Sequence, residues 1–231
     1  MHQIHLEKCD STQKYLKEHL AKLLVYDKNL LVSTSLQSNG IGRSGNRWDF
    51  FTNSLAFSFT LDPNEEKTLS SLEVGVLLVN FFAEKNIKDL SVKWPNDILN
   101  TMGEKCGGVL CQLIDNNLIV GIGLNFQNND SEKSDYKFPI GYINQDFSNH
   151  KNFHKDLTEE IYRYILDHRL SKEEVRSLWN EKNYFKDKLV TIEDGKNKVT
   201  GTFVGIGPMG EAIIKDEASQ KSHSFVTGSL S

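Results

Sequence analysis

From Leu55 to Leu61 large apolar residues (Leu55, Phe57, Phe59, Leu61) alternate with small or polar ones (Ala56, Ser58, Thr60). A period of two predicts a strand. Elsewhere the period lengthens. In "DSTQKYLKEHLAKLL" Leu16, Leu20 and Leu23 or Leu24 fall on one helical face behind a Ser/Thr pair suited to capping, which predicts a helix near residues 12 to 24. "LLVSTSL" (30 to 36) is apolar and β-branched enough for a strand. Between Pro63 and Asn86 the residues Leu69, Leu72, Val76, Leu77, Val79 and Phe81 make a run too long for a strand and apolar enough for a buried helix.

"LSVKWPNDIL" reads as a strand broken at Pro95, and "CGGVLCQLI" and "NLIVGIGLNF" read as a hairpin turning at Asp115 and Asn116. "QNNDSEKSD" reads as a loop. Leu157, Ile161, Tyr164 and Ile165 mark another helix, and one more fits Lys172 to Lys182. From Lys188 the pattern changes to short strands and turns ("LVTI", "KVTGTFVGIG", "EAIIKD", "SHSFVTG"), which suggests a small barrel that leans on the larger unit. The expected class is α+β: a mixed β-sheet domain with packed helices over residues 1–183 and a small β-barrel over 184–231.

Composition narrows the function classes. A net charge of -4 over 231 residues argues against a broad nucleic-acid surface, so any anion site is local. No apolar run approaches the roughly 18 residues of a membrane span, and "MHQIHLEKCD" lacks a signal-peptide core, which together predict a cytoplasmic protein without membrane association. Three cysteines (Cys9, Cys106, Cys111) without C-x-x-C spacing and seven scattered histidines predict neither a disulfide framework nor a metal held by the protein alone. With no histidine nearby in sequence, the cysteines read as wall residues.

"NGIGRSGNRW" (39 to 48) contains a G-x-G-x-x-G match at Gly40, Gly42 and Gly45. A dinucleotide-binding loop requires a helix after these glycines, whereas the alternating strand at 55 to 61 follows them, so that reading fails. What remains is a glycine-rich loop carrying Arg43 and Arg47, either an anion site or a flexible hairpin with solvated arginines.

Four segments combine small residues with polar or cationic ones: "CDSTQKYL" (9 to 16), "LQSNGIGRSGNRW" (36 to 48), "VKWPNDI" (92 to 98) with "KCGGVL" (105 to 110), and "VGIGLNF" (120 to 126). In this order they resemble the biotin–protein ligases. "KWPND", then "K-x-G-G-V-L", then "G-I-G-x-N" is a specific combination, and "G-x-G-R-x-G" is a degraded form of that family's "G-R-G-R-x-G". The resemblance covers essentially the whole chain. It implies a class II synthetase-like catalytic domain and an SH3-like C-terminal barrel. The implied activity is ATP-dependent conversion of biotin to biotinyl-5′-AMP, then transfer of biotin to a carrier lysine, with Mg²⁺ carried through substrate phosphates. The implied partner is a biotin carboxyl carrier protein of acetyl-CoA carboxylase or a related carboxylase. Pairing of two copies is left open. The family's N-terminal helix-turn-helix has no room before the "DST" segment at residue 10, so a short form without DNA binding is expected.

Carried over residue by residue, the resemblance puts Arg43 and Lys105 on the reacting carboxylate and α-phosphate. Ser11, Thr12 and Gln37 match its ureido-binding positions, with Gln13 where the family commonly has Asn. Gly40, Ile41, Gly42, Gly108 and Gly121 belong to the biotin pocket, Ile41 standing where the family has its first loop arginine. Lys93, Asn96, Asn125 and Trp48 fall on the nucleotide side, Trp48 as a cover or as core filling. Asp97 has three readings: a Mg²⁺ contact, a partner of the incoming lysine amine, or a turn residue. For Ser11 and Thr12 the plain alternative is a helix cap. The glycine loop is a candidate to order over ligand and shield an acyl-adenylate from water. A lipoate or octanoate ligase or transferase, and a biotin sensor without turnover, are the competing readings.

Overall fold

The first element is one that the hydrophobic pattern did not single out. The computed structural model describes residues 1–51, 53–126, 139–144, 152–195, 198–217 and 219–231. In it β1 (His2–Leu6) is an edge strand, half-buried at every position and therefore without a readable alternation. α1 (Thr12–Leu23) follows, its Ser11 cap accepting from the Lys14 N–H, with Leu16, Leu20 and Leu23 buried. β2 (Leu30–Thr34) then returns parallel to β1. The short strands β3 (Gly40–Ile41) and β4 (Arg47–Trp48) make a small antiparallel pair inside the glycine loop.

β5 (Ser54–Leu61) is the predicted alternating strand, but it is buried on both faces. α2 (Ser70–Glu84) is the predicted core helix. β6 (Ser91–Lys93) and β7 (Asp97–Leu99) turn at Trp94-Pro95-Asn96, where the proline was expected to break a strand. β8 (Lys105–Ile114) and β9 (Asn117–Asn125) form the predicted hairpin. Asp115 and Asn116 both have positive φ (46° and 66°), as a two-residue hairpin turn requires. α3 (Phe153–Asp167) and α4 (Lys172–Lys182) complete the helices. On α3 it is Tyr162, donating to the Thr60 carbonyl at 2.7 Å, that is fully buried, while the predicted Tyr164 is half-exposed and donates to Glu84. The segment "QNNDSEKSD" lies outside the described residues.

The main sheet has the order β1-β2-β5-β9-β8-β7-β6, antiparallel except for β1 with β2. α1 covers one face through Leu16, Leu20, Leu30, Val32 and Ile119. α2 and α3 cover the other through Leu31, Phe57, Phe59, Leu77 and Phe82. Burial of each such large side chain contributes about 1.5–3 kcal/mol, which is ample to hold a strand between two helical layers. Glu73 of α2, fully buried, receives Arg169 through two bonds (2.8 and 3.1 Å) and the Leu170 N–H (3.0 Å), tying the α3–α4 connection to the core.

The C-terminal strands are β10 (Leu189–Glu193), β11 (Lys198–Ile206), β12 (Ala212–Lys215), β13 (Ser222–Phe225) and β14 (Ser229–Leu230). They form an antiparallel sheet in the order β13-β12-β11-β10-β14. The expected closed barrel is not what these pairings show. β14 is two residues long and spends its pairing on Ile192 and Glu193, so among the described residues it does not reach β13 and the sheet stays open. Its apolar face, including Ile192, Phe203 and Ile214, is continuous with the core under α2. Asn180 of α4 accepts from the Ile206 N–H (2.8 Å), and Trp94 donates to the Gly210 carbonyl (2.9 Å), so this sheet is held against the elements that carry the motifs. No helix among the described residues is long and apolar enough to cross a membrane.

Candidate active site

The strand register explains why the main sheet has a hollow on the α1 side. Ser58, Gly121 and Leu110 are aligned across β5, β9 and β8, and Ala56, Gly123 and Gly108 make the next row. Five of these six residues are small, so the face that is filled by Thr60 and Ile119 under α1 becomes a floor beyond the helix end. A cleft of about 750 Å³ stands on it. Of the residues singled out in the sequence, Ser11, Thr12, Gln13, Gln37, Ile41 and Gly42 line this cleft, as do Arg43, Trp48, Lys93, Asn96, Asp97, Lys105, Gly108 and Gly121. Gly40 and Asn125 do not.

At one end the cleft is closed by polar side chains that hold each other. The Thr12 N–H donates to Gln37 Oε1 (3.0 Å), and the Thr12 and Ser58 hydroxyls share a bond of 2.9 Å. Gln13 Nε2 donates to Gln112 Oε1 (3.2 Å) and to the Ile119 carbonyl (3.4 Å). All of Ser11, Thr12, Gln13, Gln37 and Ser58 are buried. Ser11 caps α1, the plain alternative, and the same residue lines the cleft. Gly40 works from behind: a Cβ there would stand 2.6 Å from Gln37 Nε2 and collide with the Trp48 carbonyl.

At the other end the charges collect. Lys105 Nζ lies 2.6 Å from Asp97 Oδ1, and the buried Lys93 Nζ lies 3.8 Å from Asp97 Oδ2. The β6–β7 pairing sets Lys93 opposite Asp97, while β8 brings Lys105 alongside, which is how one carboxylate meets two ammonium groups. Arg43 Nη1 donates to Asn96 Oδ1 (3.4 Å), and Asn96 Nδ2 is fixed by the Val109 carbonyl (2.8 Å). Burial lowers the Arg43 pKa from its ordinary value, with Asp97 acting the other way. A guanidinium remains charged at neutral pH even so.

Between the two ends Trp48 packs on Gly123, where a Cβ would collide with its indole. Its Nε1 is buried and has no hydrogen-bond partner among the described residues, and its ring lies 5.7 Å from Lys105 Nζ. The cysteines are not poised for chemistry. Burial pushes the Cys106 thiol up to about 12, and the same cause raises Cys111 to about 12. Asn125 sits behind the wall, its Oδ1 accepting from Ser54. Among the described residues no group of three or more His, Cys, Asp or Glu side chains is placed to hold a metal ion.

Sequence reading missed Ser58, Ala56 and Gln112, and also a rim of Glu193 to Gly195 and Thr227 to Ser229 from the C-terminal sheet. Ser58 and Ala56 had a signal, since the alternation put them on the side away from the phenylalanines. The rim had none.

Residues 6–129 match the model of the biotin/lipoate A/B protein ligase family. The chain belongs to this family. Among curated relatives, biotin–protein ligase 1 (chloroplastic) of Arabidopsis thaliana is 34% identical over 107 residues, a match covering 41% of this chain and 29% of the relative. Biotin–protein ligase 2 of the same plant is 32% identical over 108 residues, covering 41% and 32%. The chain thus spans about a third of the length of these relatives. Among solved structures, the biotin protein ligase of Aquifex aeolicus in complex with biotin and ATP is 26% identical with a TM-score of 0.77, covering 100% of this chain and 97% of that one. The Helicobacter pylori biotin acetyl coenzyme A carboxylase synthetase with bound biotinylated ATP is 24% identical with a TM-score of 0.71, covering 96% and 99%, and shares the fold. The four motif segments of this family member lie within or beside one cleft.

Proposed function

We propose that this protein activates biotin with ATP and transfers it to a lysine of a biotin carboxyl carrier domain, with residues 1–183 as the catalytic unit and 184–231 as an SH3-like appendage. One observation carries the reading: a single cleft has a closed, hydrogen-bonding end at Thr12, Gln37 and Ser58 and a cationic end at Arg43, Lys93 and Lys105, joined by a glycine floor. A planar ureido ring suits the first end, and the bent bicycle that carries it suits the small-residue floor. A carboxylate and a triphosphate fit the second.

In the first step an oxygen of the acid carboxylate attacks the α-phosphorus and pyrophosphate leaves. Two like charges at about 4 Å repel by roughly 4 kcal/mol at an effective dielectric of 20, so cations must offset that repulsion. Arg43 and Lys105 would grip the carboxylate and α-phosphate, Lys93 the departing phosphates. Asn96 orients Arg43 in the resting protein. Mg²⁺ would ride on the triphosphate oxygens and neutralise charge there. Asp97 is engaged by both lysines at rest. The adenylate phosphate held on Lys105 would loosen that lysine's grip on Asp97, leaving a carboxylate to take a proton from the acceptor ammonium. The neutral amine then attacks the acyl carbonyl, the bond from that carbon to the phosphate oxygen breaks, and AMP departs while the new amide nitrogen releases its second proton to solvent.

A lipoate or octanoate ligase shares the family, and its acid has no group for the hydrogen-bonding end. ATP–pyrophosphate exchange with biotin, lipoate and octanoate tests the choice. Exchange with biotin alone is expected; exchange with either other acid in its place would overturn the assignment, and tight biotin binding without exchange would favour a sensor.

A further inference from the structure

We infer that the β11–β12 turn of the C-terminal sheet sets the geometry of the charged end through Trp94, which is a positioning residue for the activation step. This rests on reading the cleft as an acid-activating site. Trp94 is 1% exposed, and its indole N–H donates to the Gly210 carbonyl at 2.9 Å. It opens the three-residue link between β6 and β7, so that Lys93 precedes it and Asn96 and Asp97 follow shortly after. Pro95 has no N–H to give. Asn96 is tied to β8, its carbonyl accepting from the Val109 N–H (2.9 Å) and its amide donating to the Val109 carbonyl (2.8 Å). The link is therefore held by β8 on one side and by Gly210 on the other.

The far side of that contact is built to stay in place. Within the turn the Gly207 N–H donates to the Glu211 carbonyl (2.9 Å), the Gly210 N–H to the Gly207 carbonyl (3.1 Å), and the Met209 N–H to Glu211 Oε2 (2.9 Å). The Thr68 hydroxyl, just before α2, donates to the Met209 carbonyl and straps the turn to the catalytic unit. Gly210 has a φ of 78°, and a Cβ there would stand 2.9 Å from Leu72 Cδ1, so a glycine is what brings this carbonyl within reach of Trp94. Behind the link lies a second cavity of about 200 Å³, bounded by Trp94, Asn96, Gly210 and Arg43. Arg43 lines this cavity as well as the cleft, and its bond to Asn96 is what ties it to the link. A link that drifts would carry Asn96 with it and give Arg43 room to leave the carboxylate and α-phosphate. Misplacement of about 1 Å at such a group is felt in rate.

The test is a double-mutant cycle on the full chain, read as ATP–pyrophosphate exchange at saturating substrates and as biotin Kd without nucleotide. Trp94→Phe keeps an aromatic ring and removes the N–H. Thr68→Val releases the β11–β12 turn from the start of α2 and lies outside the cleft lining. In Trp94→Phe the exchange kcat should fall about tenfold or more, with biotin Kd within about twofold of wild type. Thr68→Val alone should lower kcat by about two- to fivefold, and it should add nothing in the Trp94→Phe background, where the turn has lost the bond through which it acts. An unchanged kcat in Trp94→Phe, a loss of biotin affinity as large as the loss of kcat, or full additivity of the two changes would each overturn the inference while leaving biotin activation intact. If Trp94→Phe does not fold, a wild-type kcat in Thr68→Val would overturn it equally. Absence of biotin-dependent exchange in the wild-type protein would instead remove the functional reading beneath it, and the inference with it.

Discussion

The two ends of the cleft are built differently. The closed end hangs on long elements, the first turn of α1 and the centre of β5, and its polar groups are buried and bonded to each other. The charged end hangs mostly on short pieces, the three-residue strands β6 and β7 and the turn after β3 that carries Arg43, with Lys105 at the first residue of β8, and its lysines are engaged by a carboxylate that a substrate phosphate would have to displace. Recognition of a neutral head group wants groups that do not move, since each misplaced buried hydrogen bond is expensive. Handling two anions and releasing pyrophosphate wants cations that can exchange partners. The difference teaches where affinity and rate should separate.

Lys105→Ala should produce the largest effect. Removing a cation from the developing charge is expected to lower pyrophosphate exchange by about 100- to 1,000-fold, while biotin Kd moves by less than about tenfold because the closed end is untouched. A comparable loss in Kd and rate would show that the two ends are not separable. Thr12→Val inverts the pattern. It deletes the hydroxyl bonded to Ser58 but keeps the N–H bond to Gln37, so biotin Kd should rise about tenfold or more with exchange at saturating biotin near the wild-type rate.

Gly121→Ala sharpens the closed end further. Its Cβ would stand 2.5 Å from Gln13 Oε1 and must displace that amide, so biotin should bind several-fold to about tenfold more weakly, with exchange at saturation little changed; unaltered affinity would mean the floor is not where the head group lies.

The smallest effect lies outside the cleft lining, in the core beneath β8. Cys106 is buried as a neutral thiol with its pKa raised from about 9 to about 12 by desolvation. Its contribution to stability is complete below about pH 9 and is lost as pH climbs toward about 12, because the unfolded thiol releases its proton first. Melting temperature should therefore fall across that window, less steeply in Cys106→Ala. Iodoacetamide at pH 8 should leave exchange unaffected, and rapid inactivation by labelling of Cys106 would contradict the buried geometry.

Much of the fold was legible because its elements have long, unmixed patterns. The alternation at β5, the apolar run of α2 and the Asp115-Asn116 turn each admit one local solution. β1 and β14 were not legible, the first because an edge strand half-buried throughout has no period, the second because two residues cannot show one. Tyr162 was missed, while Tyr164 does pack half-buried against the same core, because either phase fits an amphipathic helix until the sheet beneath it is known, and the sheet offered the Thr60 carbonyl to Tyr162. In the site, the motif residues could be nominated from the chain, and fourteen of the sixteen nominated do line the cleft. Gln112 could not, since it stands in no motif and acts through a residue distant in sequence, whereas Ser58 was within reach of the β5 alternation, which put it on the side away from the phenylalanines.

By itself the sequence determined which segments are helix and strand in the centre of the chain, which glycines and cations to look for together, and the family they point to, because these depend on local period and on residue type. Only the tertiary structure decided that Ser58, Gly121 and Leu110 share one row, that Asp97 meets two lysines, and that Trp94 reaches a carbonyl of the C-terminal sheet. Those relations arise from strand register and from groups up to 116 positions apart being pressed together, for which a linear pattern has no variable.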